Sequence, residues 1–149
     1  MSIGKFCNRA VVTADPATSV VEASLLMRRQ HVGDVIVADE LPEGRRPRGI
    51  VTDRDIVVGV VAAGLDPALV KLADLIDRPL VTASVHDGYA ETIERMAEQG
   101  VRRMPVLDEA GYLVGIITLD DLLQQLAPQL CSLAKIPAWE RRLERRTRR

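Results

Sequence analysis

Two short stretches carry residue types that could hold a ligand. Gly49-Ile50-Val51-Thr52-Asp53-Arg54-Asp55 returns sixty-six positions later as Gly115-Ile116-Ile117-Thr118-Leu119-Asp120-Asp121. In each, small and apolar residues run into a threonine, and a carboxylate follows three residues on. The pattern reads as a strand that ends at the hydroxyl and turns at once into a helix. Such a junction gathers a hydroxyl, unpaired backbone N–H groups and a carboxylate at a helix N-terminus. Those N–H groups suit phosphate. A carboxylate adds two acceptor oxygens. The same Thr-x-x-Asp spacing is also a capping box, which needs no ligand. Spacing alone leaves both readings open.

Catalytic chemistry finds little support. The two histidines, His31 and His86, read as helix-end or turn residues. Two histidines and two distant cysteines make no recognised metal-ligand spacing. Neither a GxxxxGK[ST] nor a GxGxxG motif occurs, and no nucleophile elbow is present. No apolar run reaches the roughly 18 residues that a membrane helix needs. The first nine residues lack the apolar stretch of a secretion signal, which points to the cytoplasm. Cys7 and Cys131, far apart in sequence, read as unpaired thiols in a reducing compartment.

The junctions belong to a longer duplication. Val11-Val12-Thr13 corresponds to Leu80-Val81-Thr82 at an offset of 69, and Glu22, Met27 and Val37 match Glu91, Met96 and Val106 at the same offset. A longer loop in the first copy, Asp39 to Arg48 against Asp108 to Val114, accounts for the drop of three. The copies differ where charge matters. Asp53-Arg54 stands against Leu119-Asp120, Gly33-Asp34 against Arg102-Arg103, and Ile36 against Pro105. The two sites are therefore expected to be unequal, with Asp55 the more secure.

Each copy reads β-α-β-β-α. In the first, a strand at Val11–Thr13 precedes a helix capped by Ser19-x-x-Glu22 and ended by Gly33. A strand at 34–38, the loop 41–48, a strand at 49–51 and a helix from Asp53 to about Val61 come next. In the second, a strand at 80–82 leads to a helix capped by Asp87 and closed by Gly100, then a hairpin around Glu109-Ala110-Gly111 and a helix from Leu119 to Ala127. Pro128 is expected to break that helix and Pro137 to interrupt the C-terminal tail. Copies of about sixty residues are marginal alone, so the two are expected to share a core. With 47% apolar residues but only 3% aromatic ones, that core must be aliphatic. The net charge of −1 hides an asymmetry: residues 131–149 carry net +5 and the rest −6. A basic segment on an acidic body can bind nucleic acid, an acidic partner or its own body, or stay solvated.

These features resemble the CBS domain, and the chain resembles a tandem CBS pair from about Lys5 to Leu126. The Gly-Ile-Val-Thr-Asp-Arg-Asp junction and Val101-Arg102-Arg103-Met104-Pro105-Val106-Leu107-Asp108 carry the likeness. The stretch Thr52 to Pro67 is similar to small stand-alone bacterial CBS-pair proteins, including stress- and hypoxia-response ones. The resemblance implies an α+β fold of two repeats related by a pseudo-twofold axis. Repeat 1 would span 5–64, a linker 65–78, repeat 2 79–128, and a basic, helical C-terminal tail 129–149. It further implies clefts between the repeats for adenosine ligands: AMP, ADP or ATP, with NAD and S-adenosylmethionine as further options. By position, Asp55 and Asp121 would hold the ribose hydroxyls. Thr52 and Thr118 would meet phosphate, with Gly49 opening the first junction and Arg54, Arg102 and Arg103 as counter-charges. Main-chain groups at Val12, Thr13, Ala14, Val81, Thr82 and Ala83 would meet the adenine edge, and Val32, Met104 and Pro105 its faces. A homodimer, a non-catalytic regulatory role and a separate protein partner are implied as well. The competing reading is a ligand-independent adaptor whose Arg-rich tail binds nucleic acid or an acidic partner.

Overall fold

A computed structural model describes residues 2–147. Arg148 and Arg149, two of the basic residues expected in the tail, lie outside the described residues. The first copy contains β1 (Thr13–Ala14), α1 (Val20–Gln30), β2 (Asp34–Leu41), β3 (Gly44–Thr52) and α2 (Asp53–Ile56), the last running on through a wider π-type turn at Val57–Val61. The second contains β4 (Ala83–Ser84), α3 (Tyr89–Gln99), β5 (Arg103–Leu107), β6 (Leu113–Thr118) and α4 (Leu119–Thr147). Each copy makes its own three-stranded sheet, ordered β1-β2-β3 and β4-β5-β6, with the first pair parallel and the second antiparallel. Register shifts fall at Val37/Ala38 and at Val106/Leu107, the same place in each copy. This is the expected α+β pair of β-α-β-β-α units.

Strand alternation sorts the apolar side chains into three clusters. Val35 and Val37 face the helices of the first copy, with Val20, Ala23, Met27 and Val51. Met104 and Val106 do the same in the second, with Met96, Ile117 and Leu122. The opposite strand faces meet in a seam of Ile36, Ala38, Leu113 and Ile116. As the composition requires, all three clusters are aliphatic.

The copies also exchange a segment. A 3-10 turn at Ile3–Lys5 docks on the second copy, and Ile3 and Cys7 enter that copy's core. Its counterpart, the 3-10 turn Leu72–Leu75, docks on the first copy, where Leu72 is fully buried. The hydrogen bonds repeat at the sequence offset. Ile3 N–H donates to the Asp87 carbonyl at 3.0 Å, and Leu72 N–H to the Thr18 carbonyl at 2.9 Å. Gly4 N–H reaches the Val85 carbonyl at 3.1 Å, and Ala73 N–H the Pro16 carbonyl at 3.0 Å. Close approach here explains two glycines. A Cβ at Gly49 would lie 2.7 Å from Ile76, and one at Gly115 2.7 Å from the Cys7 sulfur and 2.8 Å from the Asn8 carbonyl.

Several local expectations need correction. His31, not Gly33, closes α1 in the left-handed region at φ 54°, while Gly100 closes α3 as expected. Asp87 does not cap α3; Gly88 occupies that position. The Asp87 carboxylate accepts instead from Ser84 N–H at 2.9 Å and from Arg95 at 2.6 Å. The first short strands begin later than expected, at Thr13 and Ala83. The expected loop 41–48 is mostly strand, because β2 and β3 extend as a hairpin that turns at Pro42-Glu43. Neither Pro128 nor Pro137 ends α4. An internal proline costs about 3 kcal/mol through a lost hydrogen bond and a clash with the carbonyl four residues back. Here those carbonyls belong to the exposed residues Gln124 and Leu133, so water can serve them and no packing is disturbed.

Candidate ligand-binding site

The strand-helix junctions form as the spacing requires. At the first, Thr52 N–H and the Thr52 hydroxyl both donate to Asp55 Oδ2 at 2.8 Å, and Asp55 N–H returns to Thr52 Oγ1 at 3.1 Å. At the second, Thr118 N–H and hydroxyl reach Asp121 Oδ2 at 2.9 and 2.7 Å, and Asp121 N–H reaches Thr118 Oγ1 at 3.2 Å. The capping boxes are therefore real. In both, the protein bonds converge on Oδ2, and among the described residues no group donates to Oδ1. Thr52, Asp55, Thr118 and Asp121 are all half-buried. Cap and ligand readings are thus compatible: one oxygen holds the turn, and the other is available to a hydroxyl donor.

The two junctions are neighbours in space. Asp34 lies directly across the β2–β3 ladder from Thr52, and Arg103 directly across β5–β6 from Thr118. Asp53 N–H donates to the Gly33 carbonyl at 3.0 Å, and Leu119 N–H to the Arg102 carbonyl at 2.8 Å, which ties each helix start to its inner strand. Asp34 and Arg103 occupy the same position in the two copies, and they pair with each other: Arg103 Nη1 stands 2.6 Å from Asp34 Oδ1, with side-chain exposures of 31% and 17%. This pair bridges the copies beside both junctions. Burial pushes the Asp34 carboxyl above its ordinary range; Arg103 pulls it down and Asp53 adds a smaller upward push.

The remaining expected site residues are placed unevenly. Arg54 and Arg102 are exposed, and among the described residues neither has a carboxylate partner. Val12, Ala14 and Val32 are half-buried against the first core, Val81 against the second, and Ala83 lies inside the second. The Val12 carbonyl accepts from Ile36 N–H at 3.0 Å, and the Thr82 carbonyl from Arg95 at 3.1 Å. The Thr13 hydroxyl accepts from Arg45 at 3.1 Å. Pro105 pairs across the ladder with Ile116 and so faces the seam. Met104 does not reach it: the side chain is fully buried on the other face of β5, in the second core, because neighbouring strand residues point to opposite sides. Gly49 is explained by the approach of Ile76. Sequence reasoning missed Arg45, Arg95 and the pairing role of Asp34. Arg95 stands four residues after Glu91, a spacing that signals a helix-face ion pair, seen at 2.9 Å.

Comparison with known proteins settles the family. The family model for the CBS domain matches residues 3–61 and again 72–128. The chain belongs to the CBS-domain family. An uncharacterized Methanopyrus kandleri protein is 36% identical over 124 residues, 83% of this chain and 62% of that one. The chain thus spans about three fifths of that relative's length. Hypoxic response protein 1 of Mycobacterium tuberculosis is 31% identical over 119 residues, 80% of each chain. A crystal structure of Hypoxic Response Protein I with two coordinated zinc ions superposes with a TM-score of 0.72 at 29% identity, over 83% of this CBS pair and 98% of that chain. Among the described residues here, no group of three or more His, Cys, Asp or Glu could hold a metal ion. The cytosolic domain of the Mg2+ channel MgtE, solved in complex with ATP, matches with a TM-score of 0.70 at 27% identity, over 84% of this chain and 48% of that one. No helix of the described residues is long and apolar enough to cross a membrane.

Proposed function

We propose that this CBS pair is a non-catalytic regulatory module that binds adenosine ligands at the two strand-helix junctions. The observation that carries this reading is the duplicated Thr-Asp box with one carboxylate oxygen left over, set beside a seam where the copies meet. Asp55 Oδ1 and Asp121 Oδ1 accept ribose hydroxyls. Thr52, Thr118 and the N–H groups of the helix starts lie where phosphate would sit, and the exposed Arg54 and Arg102 supply positive charge around them. The ATP complex of the MgtE domain supports an adenosine ligand. The signal passes to a partner protein. A ligand that touches both copies shifts their relative set only by its unequal affinity for the two states.

A second copy is the expected partner. The outer faces of the helices expose Val57, Val58, Leu119 and Leu123, and an apolar groove of about 360 Å³ runs between α3 and α4, lined by Ile93, Met96, Leu119 and Leu126 among others.

Calorimetry with AMP, ATP, NAD and S-adenosylmethionine tests the site on wild type, Asp55→Ala and Asp121→Ala. Binding that survives unchanged in both variants contradicts the ribose role. The second reading rests on the last turns of α4, where Arg141, Arg142, Arg145 and Arg146 are exposed and Arg142 lies over Trp139 at 5.4 Å. Nucleic-acid binding there would weaken steeply with salt and vanish on removal of residues 137–149.

A further inference from the structure

The carboxylates around the two junctions outnumber the cations. Asp34, Asp53, Asp55, Asp120 and Asp121 stand against Arg54, Arg102 and Arg103. Arg54 and Arg102 are exposed to water, which screens them. Arg103 is the more buried cation and would act most strongly on a phosphate, but Asp34 already holds it at 2.6 Å. The two residues are equivalent and touch, so both lie next to the pseudo-twofold axis, each opposite the threonine of its own junction.

We propose that Asp34 sets the ligand selectivity of the module. By pairing with Arg103 between the two junctions it withholds the cation that a polyphosphate needs, so the clefts favour adenosine ligands with little negative charge. The proposal deepens, and rests on, the adenosine reading above. A phosphate arriving beside either threonine must displace the Asp34 carboxylate from Arg103, or bind beside an arginine whose charge is already spent on that acid. Asp53, whose N–H is bound to the Gly33 carbonyl and whose carboxylate raises Asp34, adds a second repulsion on the first side. A ligand with only ribose and adenine meets neither cost.

The test is calorimetry with adenosine, AMP and ATP at fixed ionic strength. Asp34→Asn frees Arg103 and is expected to raise ATP affinity relative to adenosine by roughly tenfold, with AMP between. An unchanged ATP-to-adenosine ratio in that variant overturns the proposal. The double variant Asp34→Asn/Arg103→Gln decides independently, should the single variant fold poorly. With Arg103 already withheld in the wild type, the double variant keeps the wild-type ratio; a loss of roughly tenfold for ATP alone would show that Arg103 serves phosphate after all. Failure of adenosine itself to bind any of the three proteins at millimolar levels removes the adenosine reading and this proposal together, an outcome distinct from an unchanged ratio.

Discussion

Ile3 is a demanding test of the exchanged segment, because it sits near the start of the chain, where truncation is usually harmless. The side chain is fully buried among Met96, Met104 and Leu122 of the second copy. Ile3→Ala deletes the branched end of that side chain and leaves a cavity in the second core. Buried aliphatic-to-alanine changes cost about 2–5 kcal/mol, and a fully buried site relaxes poorly, so about 3 kcal/mol is expected. For a domain of this size, each kcal/mol moves the melting temperature by roughly 2–4 °C, which gives a drop of roughly 6–12 °C. Leu72→Ala is the matched change in the first copy and should cost the same. Calorimetric melts measure both. Hydrogen exchange then separates the copies: Ile3→Ala should speed exchange in β5 and β6 before β2 and β3, and Leu72→Ala the reverse. A drop below about 2 °C for Ile3→Ala, or faster exchange in β2 and β3 first, would refute the docking of this segment on the second copy.

The same geometry sets four further outcomes. Gly115→Ala should destabilise by about 1–3 kcal/mol in urea melts, because the new methyl meets the Asn8 backbone carbonyl at 2.8 Å. Gly49→Ala should cost less, since only the flexible Ile76 side chain must yield. A thiol reagent should label exposed Cys131 at once and buried Cys7 slowly, since burial, helped by Asp121, pushes the Cys7 thiol up and keeps it protonated near neutral pH. Asp34 gives a pH signature of definite sign. Its carboxyl is raised in the folded chain, so it contributes stability only at acid pH, and that contribution is lost as pH rises above the ordinary aspartate value. From about pH 4 upward, wild type should therefore lose ground against Asp34→Asn in urea midpoints; a gap that moves the other way would mean that Arg103 outweighs burial.

Residues that act on near sequence neighbours were legible from the sequence, and residues that act across the fold were not. Thr52 and Asp55 could be read because the cap and its acceptor are three residues apart, and the twin at Thr118 and Asp121 confirmed the reading. The prolines of α4 misled because the rule against them assumes a packed helix, whereas this one is exposed beyond Leu126. Met104 misled because a strand has two faces, and only the register with Ile117 shows which one it takes. The segment exchange left a readable trace: Ile3 and Leu72 keep the offset of 69 that relates the copies. Hydropathy cannot say which copy such a turn caps, since both cores are equally aliphatic. The Asp34–Arg103 pair was visible as a difference between the copies before it was visible as a contact. In a sequence duplicated about a twofold axis, equivalent residues near that axis must meet, and two identical charges there would repel in a half-buried seam. Divergence to opposite signs at one equivalent position is therefore what pairing across the axis demands, and it is the mark by which such a contact can be sought in sequence alone.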